Sequence, residues 1–375
     1  MRRTVSIKLD TTSEQKIALV QLQEAFNKTS NIVATIAREN RCWNRVALHH
    51  LSYHQIRHDQ ANEQVVLGSQ MVCNAIRTVC DAYKVLKIKK TEAIPVITFK
   101  QRSSVHFDKR TYSLKDGAIS LYTLSGRILV QMNVGNFQQS YLQRGYAKEA
   151  ELICRRGQWF FNLVLDIPDI ALLLPKGNVL GVDLGENNLA ATSSGKLFGG
   201  GELRHERDCA LALRKQLQSN GSKSARQLLQ KISGKEARHV KHVNHVISKA
   251  IVNEAQATGC DTIAMESLTN IRRRIRAGKR MRSRLHRWSW AQLQVFVQYK
   301  AQAVGLNVVF VDPAYTSQMC AVCGQLGVRQ KHRLACKICG IQRHSDLNAS
   351  QNIRRIAMSA DIATGTVNCP YVATS

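Results

Sequence analysis

Four cysteines fall in two matched pairs, Cys320-x-x-Cys323 and Cys336-x-x-Cys339, with twelve residues between the pairs and a glycine after each, Gly324 and Gly340. A Cys-x-x-Cys turn presents two thiolates to one ion, and four sulfurs complete a tetrahedral shell. The spacing therefore predicts one structural Zn²⁺ with no coordination position left for water. A redox role would suit one isolated pair, and the matched second pair argues against it. Seven residues beyond Cys339 stands an acid, Asp346, with Asn348 close behind. Two more acids share a context: Asp183 ends the apolar run NVLGVD and Glu266 ends DTIAME. An acid at the carboxyl end of a central strand is where α/β folds place chemistry. Taken singly, each is as readily a strand-end cap or a surface acid, and spacing alone does not bring the three together. If they converge, three carboxylates suit Mg²⁺, a hard cation that takes oxygen ligands, and a pair of such ions serves phosphodiester hydrolysis.

Charge names the class of partner. Fifty-four Lys and Arg stand against 26 Asp and Glu in 375 residues, a formal charge of +28. Such a surface repels itself unless a polyanion neutralises it, and nucleic acid is preferred over an anionic membrane. No run of about 18 apolar residues is present, and the start MRRTVSIKLD alternates instead of forming an apolar signal core, so a cytoplasmic, nucleoid-associated protein is expected. Between Glu266 and Asp312 there is no acid at all. Residues 272 to 287 hold Arg272, Arg273, Arg274, Arg276, Lys279, Arg280, Arg282, Arg284 and Arg287, a one-sign block expected to lie along phosphates. The other seven cysteines, Cys42, Cys73, Cys80, Cys154, Cys209, Cys260 and Cys369, are scattered singly and read as buried thiols of a reducing compartment. His50, His54 and His58 share one helix face, but no carboxylate or Cys accompanies them. A solvated or nucleic-acid-facing surface explains them better than a metal.

The elements that must position these groups follow from periodicity. Residues 3 to 9 alternate as a strand, and the Thr11, Thr12, Ser13, Glu14 run offers a helix N-cap near Ser13. Helical spacing then continues to about residue 90. From Pro95 the period becomes two (PVITFK, VHFDKRTYSL, AISLYTL, RILVQMNV and EAELICRRGQWFFNLVLDIP), with turns at Asp116-Gly117, Ser125-Gly126 and Arg156-Gly157, which predicts a β-barrel of five or six strands, an architecture that often binds oligonucleotides. Residues 168 to 178 read as a linker. Beyond it come the NVLGVD strand, a hairpin, long basic helices near 202–232 and 235–258, the DTIAME strand, a helix carrying Trp288, Trp290, Leu293, Phe296 and Tyr299 as core, and the strand NVVFV.

The blocks GVDLGENNLAA, AMESLTNI, WSWAQLQVFVQYKAQAVGLNVVFVDPAYTSQMCAVCG and CKICGIQRHSDLNASQNI, in this order across residues 178 to 353, resemble those of TnpB, the RNA-guided nuclease family of insertion sequences related to compact type V CRISPR effectors. The resemblance implies a multidomain α+β protein. Residues 1–10 would be the first strand of a wedge, 11–94 a helical recognition domain inserted in it, and 95–168 the oligonucleotide-binding-like wedge β-barrel. A linker at 169–177 would lead to an RNase H-like (RuvC) α/β nuclease domain at 178–356 with an inserted zinc ribbon at 314–342, and 357–375 would be a flexible tail. It further implies Asp183, Glu266 and Asp346 as the catalytic triad holding two Mg²⁺, and a guide RNA, double-stranded target DNA and its displaced strand as partners, with one monomer per RNA. One departure stands out: TnpB proteins often carry an Asp two residues before the last catalytic acid, where this chain has His344. A compact CRISPR effector, a guided repressor that does not cut, and a transposase that joins DNA ends are the alternative readings.

Overall fold

A computed structural model describes residues 1–61, 67–86, 88–89, 92–268, 289–312 and 316–359. The chain divides into two compact units, Met1–Asp169 and Ile170–Ser375.

In the first unit, β1 (Arg2–Asp10) alternates outward residues with buried Val5, Ile7 and Leu9, the pattern of a half-buried strand. It hands over to α1 (Ser13–Glu39) through a capping box. The Thr12 hydroxyl accepts the Gln15 N–H at 3.2 Å while the Gln15 side chain accepts the Thr12 N–H at 3.0 Å, satisfying two orphan donors of the first turn. With α2 (Arg45–Ala61) and α3 (Ser69–Val85), α1 shares one core: Leu19, Leu22, Phe26 and Val33 meet a cluster that includes Met71, Val72, Ile76 and Val79. The strands β2 (Val105–Phe107), β3 (Tyr112–Lys115), β4 (Ala118–Thr123), β5 (Gly126–Asn133), β6 (Tyr146–Arg155) and β7 (Gln158–Asp166) follow, with a short α4 (Asn136–Arg144) between β5 and β6.

Residues 95–168 supply six strands, within the expected five or six. With β1, they form one seven-stranded sheet ordered β2-β6-β7-β1-β5-β4-β3, and the correction is to the barrel: no pairing among the described residues closes β2 onto β3. The N-terminal strand sits at the sheet's centre, though three helices separate it in sequence from its partners. A second correction concerns PVITFK, whose alternation predicted a strand. Its backbone is held instead by a side chain of α1: Asn31 exchanges two bonds with Phe99 at 2.7 and 2.9 Å, and just beyond it Gln23 donates to the Ser103 carbonyl at 2.8 Å. Helix amides thus take the place of a strand neighbour. The scattered cysteines also correct the expectation, since of the six described only Cys80 is buried and Cys209 is exposed. His50, His54 and His58 lie exposed on α2.

The second unit is built on β8 (Val179–Asp183), β9 (Asn188–Thr192), β10 (Leu197–Gly199), β11 (Thr262–Glu266) and β12 (Asn307–Val311). Their order is β10-β9-β8-β11-β12; the first three are antiparallel, and β8, β11 and β12 run parallel. The expected helix over 202–232 is two, α5 (Gly201–Asn220) and α6 (Lys223–Ile232), divided where Gly221 takes a left-handed φ of 64° and the Ser222 hydroxyl caps α6. Period-two alternation gives the sheet two different faces. Leu180, Val182, Ile263 and Met265 pack with α7 (Lys235–Ala257) and α8 (Trp290–Gln302), through Ile251, Val252, Leu293 and Val297 among others. Val179 and Ala264 pack instead with Ile353 and Ala357 of α9 (Ser345–Ser359). By the same alternation, Gly181 and Asp183 on β8 and Glu266 on β11 share the α9 face. A three-stranded ribbon, β13 (Val328–Gln330), β14 (Arg333–Ala335) and β15 (Gln342–His344), precedes α9 directly. The basic block at 272–287 and the tail beyond residue 359 lie outside the described residues, as do Trp288 and Cys369.

Candidate active site

Asp183 and Glu266 each stand one residue beyond the paired Val182 and Met265 on adjacent parallel strands. Both acids therefore emerge side by side at the carboxyl ends of β8 and β11, the edge where open α/β sheets receive ligands. The third acid reaches them through close packing. At Gly181 an added Cβ would lie 2.1 Å from the Ser350 carbonyl oxygen and 2.7 Å from the Arg354 nitrogen, so only glycine lets α9 settle onto β8. That seats the first turn of α9, with Asp346, over the strand ends.

The result is one cleft of about 240 Å³ lined by Asp183, Glu266 and Asp346 together with Glu186, Thr316 and Arg329. Glu266 is only 8% exposed and Asp346 only 7%, so water does little to screen their charges. Burial pushes the Asp183 carboxyl well above the usual range, and the neighbouring Glu266 and Asp346 charges push it further. Burial also raises Glu266, against the lowering effect of the Thr316 hydroxyl that donates to its Oε1. Asp346 accepts bonds from Asn188 Nδ2 at 2.9 Å, Ser345 Oγ at 3.1 Å and Arg329 Nη2 at 3.4 Å. Arg329, on the ribbon strand β13, is the one cation among the described residues lining this cleft. Among the described residues, a single guanidinium faces the three converging carboxylates and Glu186, which leaves the acids undercompensated. An all-oxygen donor set with excess negative charge fits hard divalent cations such as Mg²⁺.

The four predicted zinc cysteines also converge. Their sulfurs lie within 4.8 Å of one another, with Cys320 Sγ to Cys339 Sγ at 3.6 Å and Cys323 Sγ to Cys336 Sγ at 3.4 Å. Four thiolates on one Zn²⁺, with bonds near 2.3 Å, stand about 3.8 Å apart. Amide N–H groups of Cys339 and Ile338 aim at Cys336 and draw its thiol down to about 6, preparing it to ligate as thiolate. Asn348 and Asn352 tie this knuckle to the acid-bearing helix. The Asn348 amide donates to the Met319 carbonyl at 2.6 Å and accepts the Ala321 N–H at 2.9 Å, and Asn352 donates to the Met319 and Thr316 carbonyls at 2.7 and 2.8 Å.

Arg329, Thr316 and Asn188 are participants that sequence reasoning did not single out. In the first unit, a cleft of about 500 Å³ sets Trp43, stacked on Tyr83 at 5.8 Å, among Arg41, Lys84 and Lys89, with no carboxylate among the described residues that line it.

Two family models match the second unit and its approach: residues 163–272 match one described as a probable transposase (OrfB_IS605), and residues 290–353 match the Cas12f1-like TNB domain. A TnpB-like protein of Methanocaldococcus jannaschii is 38% identical over 137 residues, covering 36% of this chain and 49% of the relative. A CRISPR-associated endodeoxyribonuclease Cas12f1 of Sulfoacidibacillus thermotolerans is 30% identical over 233 residues, 53% of this chain and 50% of the relative. The chain thus spans about half the length of these curated relatives. A cryo-EM structure titled as the Cas12f1-sgRNA-target DNA complex matches the fold with a TM-score of 0.59 at 15% identity, over 92% of this chain and 83% of that one. The chain resembles TnpB and Cas12f1 proteins in its sequence blocks, and its multidomain fold resembles theirs.

Proposed function

We propose that this chain is an RNA-guided DNA endonuclease of an insertion sequence, acting in the cytoplasm on nucleoid DNA, with its second unit an RNase H-like (RuvC) nuclease domain and its first a wedge with a helical recognition insertion. The observation that carries the reading is the convergence of Asp183, Glu266 and Asp346, from β8, β11 and α9, in one cleft that holds a single cation among the described residues. The mixed five-stranded sheet, antiparallel then parallel, with acids at its parallel carboxyl edge, supports the nuclease assignment. Asp183, Glu266 and Asp346 would hold two Mg²⁺ ions, which when bound supply activation of the attacking water and stabilisation of the leaving oxygen. The chain's own residues do the positioning. Asn188 and Ser345 fix the Asp346 carboxylate, Thr316 fixes that of Glu266, and Gln294 clamps the Glu266 carbonyl at 2.7 Å so that the strand end holds its place. Arg329, beside Asp346, is placed to meet a phosphate oxygen as negative charge develops. Guide pairing would carry sequence specificity while cationic surfaces, including the Trp43 cleft and the 272–287 block, hold backbone and bases. The cysteine ribbon would hold one structural zinc.

The test is to purify the protein with its cellular RNA, sequence that RNA, and offer a duplex matching it in Mg²⁺. Cleavage that follows the RNA sequence when the RNA is exchanged supports the reading. A protein that carries no specific RNA, or cuts without regard to it, contradicts it.

A further inference from the structure

Beside the acid cleft lies a second set of metal-ligating groups. His332 follows the Lys331 turn that joins β13 to β14, and His344 ends β15, so the ribbon's register brings the two imidazoles face to face across adjacent strands. Their rings stack with centroids 5.7 Å apart and planes within 17°. One ligand atom from each, together with a carboxylate oxygen of Asp346, lies within 4.8 Å of the others. Apart from the four cysteines, these three form the one such group of His, Cys, Asp and Glu among the described residues.

We infer that His332, His344 and Asp346 form a binding site for a first-row transition cation of the Zn²⁺ type, distinct in chemistry from the all-oxygen cleft that shares Asp346. Two imidazoles and one carboxylate select Zn²⁺, Co²⁺ or Ni²⁺ over Mg²⁺, because borderline ions gain from nitrogen donors that a hard, reluctantly dehydrated ion does not use. The geometry is partly prepared. The Asp346 N–H donates to His344 Nδ1 at 3.3 Å, which leaves Nε2 of that ring as the outward ligand. The Ser345 N–H donates to the His332 carbonyl at 2.8 Å, tying both imidazole-bearing segments to the start of α9. His332 is exposed and His344 half-buried, so an ion can enter from solvent and find positions left for water. Because Asp346 belongs to both sets, an ion on the imidazoles draws on a carboxylate that the oxygen cleft also uses. A micromolar transition cation would then compete with Mg²⁺ for the cleft. The binding itself stands on the imidazole pair and holds whether or not the cleft cuts DNA.

The experiment uses full-length protein with its four cysteines already filled with Zn²⁺ and with Asp183→Asn and Glu266→Gln introduced, so that neither the ribbon nor the complete acid cleft contributes. Co²⁺ is titrated and followed by its visible ligand-field absorption and by equilibrium dialysis. One equivalent is expected, bound without thiolate charge-transfer bands. It should weaken by more than about tenfold in His332→Asn, the scale of loss from removing even a supporting group. His344→Asp, which keeps an acceptor for the Asp346 N–H and so preserves the helix start, should likewise weaken Co²⁺. Co²⁺ affinity and spectrum unchanged in both variants, or no bound equivalent in the parent, would overturn the inference.

Discussion

Asp183 carries a charge that the metal-free protein holds at a cost. Its carboxyl is buried and faces two other carboxylates, and both effects raise its pKa in the folded state above the unfolded value. A raised carboxylate pKa means that the folded state binds the extra proton. The penalty is absent below the unfolded pKa near 4, grows as pH rises, and is complete above the folded pKa. Asp183→Asn removes the charge and keeps the shape, so it should raise the melting temperature of metal-free protein at neutral and alkaline pH. The gain should shrink to nothing as the pH falls below about 4. Mg²⁺ should stabilise the parent and have little effect on the variant, since the ion relieves the same repulsion. Thermal melts across pH with and without Mg²⁺ check this, and a variant less stable than the parent at every pH would contradict the electrostatic account. The identities of Asp183 and Glu266 were legible because each ends an apolar run, a local pattern. Arg329, Thr316 and Asn188 were not, because each reaches the cleft from a different element and no short-range spacing links it to an acid.

The elements meet at Gly181 and at the two asparagines of α9. Gly181→Ala places a methyl group against backbone atoms of Ser350 and Arg354, which cannot rotate away. It should cost about 1–3 kcal/mol in urea denaturation, the range of overpacking, and displace Asp346 from the strand ends. An unchanged midpoint would mean that α9 does not rest on β8 as described. The proposed zinc would act on the other side of the same helix, and chelating it tests that role. With the thiolates released, the knuckle that Asn348 and Asn352 hold should open, and amide exchange should accelerate across residues 316–344 while β8 and β11 stay protected. Uniform exchange across the unit would contradict a local, structural role for the ion. The helix and strand order of the second unit was readable from apolar runs and turn glycines. In the first unit, periodicity could not show that β1 pairs with β5 and β7 across more than a hundred residues, which only the family resemblance implied, and PVITFK alternates like a strand while α1 side chains bind its backbone.

On the proposed function, nucleic-acid phosphates offset the excess of 28 positive charges across the whole molecule. Affinity for nucleic acid should therefore fall steeply with salt, log K losing about 0.7 to 0.9 per phosphate contact for each unit of log salt. Replacing Arg272, Arg273 and Arg274 by Gln should flatten that slope by up to about three if the block lies along phosphates, whereas an unchanged slope would make it a solvated segment. At this scale the central claim is that three carboxylates from β8, β11 and α9, set in a unit whose Lys and Arg far outnumber its acids, form a single cation-dependent cutting site. The most direct measurement compares the parent with Asp183→Ala, Glu266→Gln and Asp346→Ala, each purified with its RNA, for cleavage of a matching duplex in Mg²⁺. All three variants should retain RNA and duplex binding and lose cleavage by at least about a thousandfold, close to 4 kcal/mol in the barrier. Full cutting by any one of them would contradict the account.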